Sequence, residues 1–184
     1  MAVEKGAMYT FPAPSSVREA PETKEITPYP AETPVTPPVN PNPGTGSVTA
    51  PTANKAYKLQ TANSASTLYF SGEFKSGKLG ATTDKSKAVD VYVEISGDKY
   101  YIYYMNAGVK TYIAAEGSGT GCFKTYTEKP ASAWTFDSAS GAFISTDNER
   151  FIGSNKTNTN EDMRGFAKSN IENTAEYSIA KFVA

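Results

Sequence analysis

Past residue 54 the chain alternates apolar and polar positions in short runs broken by turn residues. Val89, Val91 and Val93 oppose Asp90, Tyr92 and Glu94; Phe123 and Thr125 oppose Lys124 and Tyr126; Tyr177 and Ile179 oppose Ser178 and Ala180. Alternation of this kind predicts half-buried strands, because successive side chains on a strand point to opposite faces. Between the runs sit Ser96-Gly97-Asp98, Asn106-Ala107-Gly108, Gly117-Ser118-Gly119, Ser140-Gly141 and Asp147-Asn148-Glu149. These residue types suit positive φ or bond to their own backbone, and so mark turns. No segment sustains a helical period; the nearest, Ser169–Glu176, is short and polar. Residues 55–184 are therefore predicted to be all-β.

The strands recur. Setting Tyr69, Tyr112 and Phe151 in register aligns TLYFSG, KTYIAA and RFIGSN, and places Tyr92, Trp134 and Tyr177 at one later point of each copy. Between these points fall strands centred on Thr82, Thr125 and Gly165, and before them AYKLQT, YYIYYM and GAFIST. Four short strands repeated three times predict a barrel closed by threefold repetition, since one such unit cannot cover its own apolar face or hide its edges. The expected core is Tyr69, Tyr92, Tyr112, Trp134, Phe151 and Tyr177, with Leu59, Leu79, Ile95, Phe123, Phe136, Phe143 and Ile179.

Residues 55–184 with this pattern resemble a β-trefoil, and TYIAAE, CFKTY and SAWTF are similar to the repeat of ricin-type lectins. The resemblance implies a β-trefoil fold with lectin-like character. In that family a Q-x-W signature and an aspartate after the first strand of the repeat hold the sugar. Here Trp134 matches the signature's tryptophan, Ser132 stands at the glutamine position, and Ser71, Ala114 and Gly153 stand near the aspartate positions. The resemblance thus carries the fold and not the family's galactose pocket.

Residues 1–54 differ in kind. Eleven of the chain's twelve prolines lie here with only three aromatics, Tyr9, Phe11 and Tyr29. Proline fixes φ and removes a backbone donor, so the segment is predicted to be an extended, non-regular arm unable to build a core alone. At ~3.1 Å per residue it could span on the order of 150 Å. A spacer needs no apolar tip, yet Met8-Tyr9-Thr10-Phe11 supplies one. Met8, Tyr9, Phe11 and Tyr29 are the candidate anchor to a larger assembly.

Charge and composition narrow the chemistry. Net charge is −1 with 20% charged residues, which gives no basic field for nucleic acid. Histidine is absent, removing the commonest general base and metal ligand, and lone Cys122 allows neither an internal disulfide nor a thiolate metal cluster. Cys122 reads as a small buried residue on a strand. Glu161-Asp162, Asp147/Glu149 and Asp84 with Asp90 are acidic pairs in turn-like stretches, where carboxylates cap and solubilise rather than face one another across a cleft. Gly117–Gly121 is glycine-rich but lacks the strand-then-helix setting of a phosphate cradle. MAVEKGAMYTFPAP has no continuous apolar core, so no secretory signal is expected, and no stretch of the chain suits a membrane span.

Two surfaces stand out. The loop Asn155–Arg164 is rich in amides, and Asn158, Asn160, Asp162 and Arg164 form either a hydrogen-bonding site for a glycan or an ordinary solvated hairpin loop. Tyr101, Tyr103 and Tyr104 belong to a tyrosine-rich strand, one face of which must be core while the other, if exposed, suits a protein interface. Together these features predict a non-enzymatic structural or attachment protein without cofactor or metal: an auxiliary virion component such as a phage head fibre or decoration protein, assembled in the host cytoplasm. Its partners would be capsid or other virion proteins bound through residues 1–54, with surface glycans or further copies of the chain as additional partners, and no nucleic acid. The alternatives are a soluble carbohydrate-binding lectin-type module, and an inhibitor-type or scaffold trefoil using the tyrosine face.

Overall fold

The computed structural model describes residues 48–184. The chain there is all-β, as predicted. Its strands are β1 (Lys58–Ala62), β2 (Thr67–Lys75), β3 (Lys78–Thr82), β4 (Val91–Ser96), β5 (Lys99–Asn106), β6 (Val109–Ala115) and β7 (Phe123–Tyr126). They continue as β8 (Trp134–Asp137), β9 (Ala142–Ser145), β10 (Arg150–Asn155), β11 (Asp162–Ala167), β12 (Tyr177–Ile179) and β13 (Lys181–Val183). Two single 3-10 turns, Lys85–Lys87 and Lys168–Asn170, are the helical segments; the second opens the stretch that came nearest to a helix in the sequence. No helix among the described residues is long and apolar enough to cross a membrane.

All pairings are antiparallel, in the order β13-β1-β2-β3-β11-β10-β9-β8-β5-β6-β7, with β4 on β5 and β12 on β10. A bridge between Tyr57 and Val91 brings the start of β1 against β4, so the sheet curls back toward its own beginning. Curling lets one sheet enclose a core without a second layer. The expected final strand divides: Tyr177–Ile179 pairs with β10 and Lys181–Val183 with β1. Ala180 sits between them, buried, its N–H donating to the Ile152 carbonyl at 2.8 Å.

The main core joins inward residues of nearly every strand, among them Leu59, Phe70, Leu79, Val91, Val93, Ile102, Ile113, Phe123, Trp134, Phe143 and Ile152. Trp134 is 1% exposed and donates its indole N–H to the Ile113 carbonyl at 2.8 Å, fastening β8 across β6. A second cluster gathers Ala142, Ile144, Phe151 and Phe166 with Tyr177 and Ile179 packed against it. The six register-matched aromatics therefore do not form one layer. Leu68 and Phe70 take the inward positions of β2 and leave Tyr69 half-buried on the other face. Val91 and Val93 do the same to Tyr92. Ile95 shares their parity but is 43% exposed, because β4 runs past the edge of the core into its turn there. Phe136 is half-buried, packed against the main core rather than within it.

The glycine-rich loop between β6 and β7 is a packing element. Phe123 N–H donates to the Gly77 carbonyl at 2.9 Å and Gly165 N–H to the Thr120 carbonyl at 3.0 Å, so the loop is wedged between the tip of the β2–β3 hairpin and β11. A Cβ on Gly77 would lie 2.3 Å from the Gly121 carbonyl oxygen, and one on Gly121 would lie 2.6 Å from that of Ser76. Only glycine allows two backbones to approach this closely. Arg150 closes the joint by donating to the carbonyls of Gly165 and Ser118.

Candidate functional site

Residues 48–57 run along the sheet edge. Val48 N–H donates to the Ser138 carbonyl at 2.8 Å, Asn54 N–H to the Val93 carbonyl at 2.9 Å and Tyr57 N–H to the Val91 carbonyl at 3.0 Å. The Tyr103 hydroxyl donates to Asn54 Oδ1 at 3.0 Å. Residues 48–54, assigned to the arm in the sequence, are thus held on the β domain. Met8, Tyr9, Phe11 and Tyr29 lie outside the described residues.

The amide-rich loop is stitched to the first strands. The Asn158 carbonyl accepts from Ser64 N at 3.0 Å and Ser64 Oγ at 2.7 Å, and its side-chain oxygen accepts from Asn160 N at 3.0 Å. Asn63 Nδ2 donates to the Asn160 carbonyl at 3.1 Å, and Ala81 N to that of Glu161 at 3.1 Å. Beside this seam, a cleft of about 530 Å³ opens between the β2–β3 hairpin and β11. Asn160, Asp162 and Arg164 line it with Glu73, Lys75 and Lys78. Asp162 accepts from Arg164 Nε at 2.6 Å and Nη2 at 3.0 Å, with Lys78 Nζ 3.4 Å away. Three of the four predicted glycan-loop residues are therefore brought together, while Asn158 serves the seam. The cleft offers hydrogen-bond donors and acceptors of both charge signs, and among the described residues no aromatic ring lines it for stacking.

The tyrosines form the second surface. On β5, Ile102 and Tyr104 face inward; Tyr104 is 3% exposed with its ring 5.2 Å from Phe70. Tyr104 is thus a core residue and not part of an outer interface, since alternation places it opposite Tyr101 and Tyr103. On the outer face Tyr92, Tyr103, Tyr112 and Tyr126 pair residue to residue across β4, β5, β6 and β7. Tyr92 stacks on Tyr103 at 5.2 Å, and Tyr103 meets Tyr112 at 5.8 Å. Tyr103 is nonetheless buried, because Lys110 Nζ lies 4.4 Å above its ring. Tyr101 stays half-exposed beneath Lys129, whose ammonium sits 4.7 Å from the ring centroid.

Glu94 organises this face. It accepts from Lys110 Nζ at 2.6 Å, Lys129 Nζ at 2.7 Å and the Tyr112 hydroxyl at 2.9 Å. These bonds, led by those from Lys110 and Lys129, hold its carboxyl down to about 2. Glu94 in turn pushes the Lys110 ammonium up, while burial raises the Tyr103 hydroxyl. The same device recurs one strand on: Glu116 accepts from the Tyr126 hydroxyl at 2.6 Å and Lys124 Nζ at 2.9 Å, and its carboxyl is held below its ordinary value. Lys110-Thr111-Tyr112 and Lys124-Thr125-Tyr126 are the same tripeptide, each gripping a glutamate with its first and third residues. The repeated tripeptide is legible in the sequence, but its pairing with these glutamates is not, because Glu94 reaches Lys110 and Tyr112 from β4, across β5, and Glu116 reaches Lys124 and Tyr126 from the end of β6.

Cys122 is buried, and desolvation pushes its thiol up, away from nucleophilic character. Comparison with protein-family models, with curated proteins and with solved structures returns no match.

Proposed function

We propose that this chain is a non-enzymatic attachment protein, a β-trefoil domain carried on an extended proline-rich arm, and that it serves as an auxiliary virion component of the head-fibre or decoration type. The observation that carries the reading is the junction. A proline-rich segment with an apolar tip is joined to a self-contained β domain through residues 48–57, which are hydrogen-bonded to that domain, so force on the arm is delivered to the sheet edge. Asp84, Glu94, Glu116 and Asp137 are all held below their ordinary values, which suits ion-paired and hydrogen-bonded carboxylates rather than a general acid. A general acid working near neutrality needs the opposite shift. Three hairpins, β2–β3, β6–β7 and β10–β11, set around a sheet that curls back toward β1, support the trefoil reading. Removal of residues 1–30 is expected to leave the domain folded and to release it from its assembly, as read by circular dichroism and co-sedimentation with particles. Retention on the particle would overturn the anchor.

A lectin-type module is the second reading, favoured by the polar cleft with Asn160, Asp162 and Arg164 along its wall. A glycan array decides it: binding that falls in Asn160→Ala supports a glycan site there, and an array without hits removes it.

A further inference from the structure

A second, chemically different cavity of about 380 Å³ lies between the junction segment and the sheet. Its walls are aromatic: Phe136 meets Phe143 at 5.1 Å, Phe143 meets Phe182 at 4.9 Å, and Tyr57 meets Phe182 edge-on at 5.8 Å. Residues Val48–Thr52 pass over it as a strap, tied at one end by Val48 N–H to the Ser138 carbonyl and at the other by Thr52 N–H to the Tyr57 hydroxyl at 2.9 Å. Among the described residues, two ionisable side chains besides Tyr57 line it, Lys55 and Lys181, and no carboxylate does. Neither lysine has an ion-pair partner among the described residues; Lys55 Nζ rests 5.3 Å from the Tyr57 ring. An apolar, aromatic-walled cavity of this size is suited to hydrocarbon, and lysines without acidic neighbours select the charge of its head group.

We propose that this cavity binds an amphiphilic monocarboxylate, with its hydrocarbon chain among Phe136, Phe143 and Phe182 and its carboxylate at Lys55 and Lys181. The site shares no lining residue with the polar cleft.

The test is isothermal titration of the full-length chain with hexanoate, octanoate and decanoate below their micellar concentrations. At ~0.8 kcal/mol per buried methylene, affinity should tighten about fourfold per added carbon until the cavity is filled. Decanol and decylamine should bind more weakly than decanoate. The surface double variant Lys55→Gln/Lys181→Gln should lose that preference while melting as the wild type does. In an NMR titration the shifts should centre on residues around Phe136 and Phe182. Absence of saturable decanoate binding, equal binding of decanol and decanoate, an unaltered double variant, or shifts centred elsewhere would each overturn the proposal.

Discussion

Replacing Glu94 by glutamine keeps the side chain's shape and an oxygen for the Tyr112 hydroxyl, but removes the charge that Lys110 and Lys129 grip. The folded-state carboxyl sits at about 2 against an ordinary value of 4.5. At ~1.36 kcal/mol per tenfold change in proton affinity, that gap is an upper bound of ~3 kcal/mol. The side chain is 20% exposed and each lysine is more than 40% exposed, so solvent screening lowers the expectation to ~1–2 kcal/mol. The sign follows from linkage. A depressed carboxyl contributes its stability in full above the unfolded value near 4.5 and loses it as pH falls toward 2. Urea denaturation of wild type and Glu94→Gln at pH 7 and at pH 2.5 reads this directly. The variant should be less stable by ~1–2 kcal/mol at pH 7 and close to wild type at pH 2.5. A stability difference that stays constant across that range would refute the ion-pair account and leave packing as the cause. High salt at pH 7 should narrow the gap in part, because both lysines are partly exposed.

Other expectations concern packing. Gly77→Ala combines a φ of +71° with a Cβ 2.3 Å from a backbone oxygen, and should lower the melting temperature far more than Gly117→Ala, where φ is +83° but the space is open. The second change should cost only the left-handed backbone term, ~1–2 kcal/mol. Trp134→Phe leaves the Ile113 carbonyl without its buried donor and opens space beside Phe123, for a loss of ~2–4 kcal/mol in denaturant titration. Cys122 should resist a thiol reagent in the native protein and react once unfolded; equal rates in both states would contradict its burial.

What the sequence determined by itself was local. Alternation and turn residues depend on the chain's own geometry, so the all-β class and the turns at Gly97, Gly108 and Gly141 were legible before any contact was known. Alternation also states which residues share a face. It does not state which face is covered, and this is why Tyr69 and Tyr92 turned outward while Leu68, Phe70, Val91 and Val93 took the core. The amide-rich loop residues were found as a cluster because they are close in sequence, yet the diversion of Asn158 to Ser64 could not be read, since those positions meet only through the fold. The same holds for the two lysine–tyrosine grips, for Gly77 against Gly121, and for the cavity beneath Val48–Thr52. Each depends on strand order and on which backbones approach, and these are decided by burying the whole sheet at once rather than by any one segment's preference.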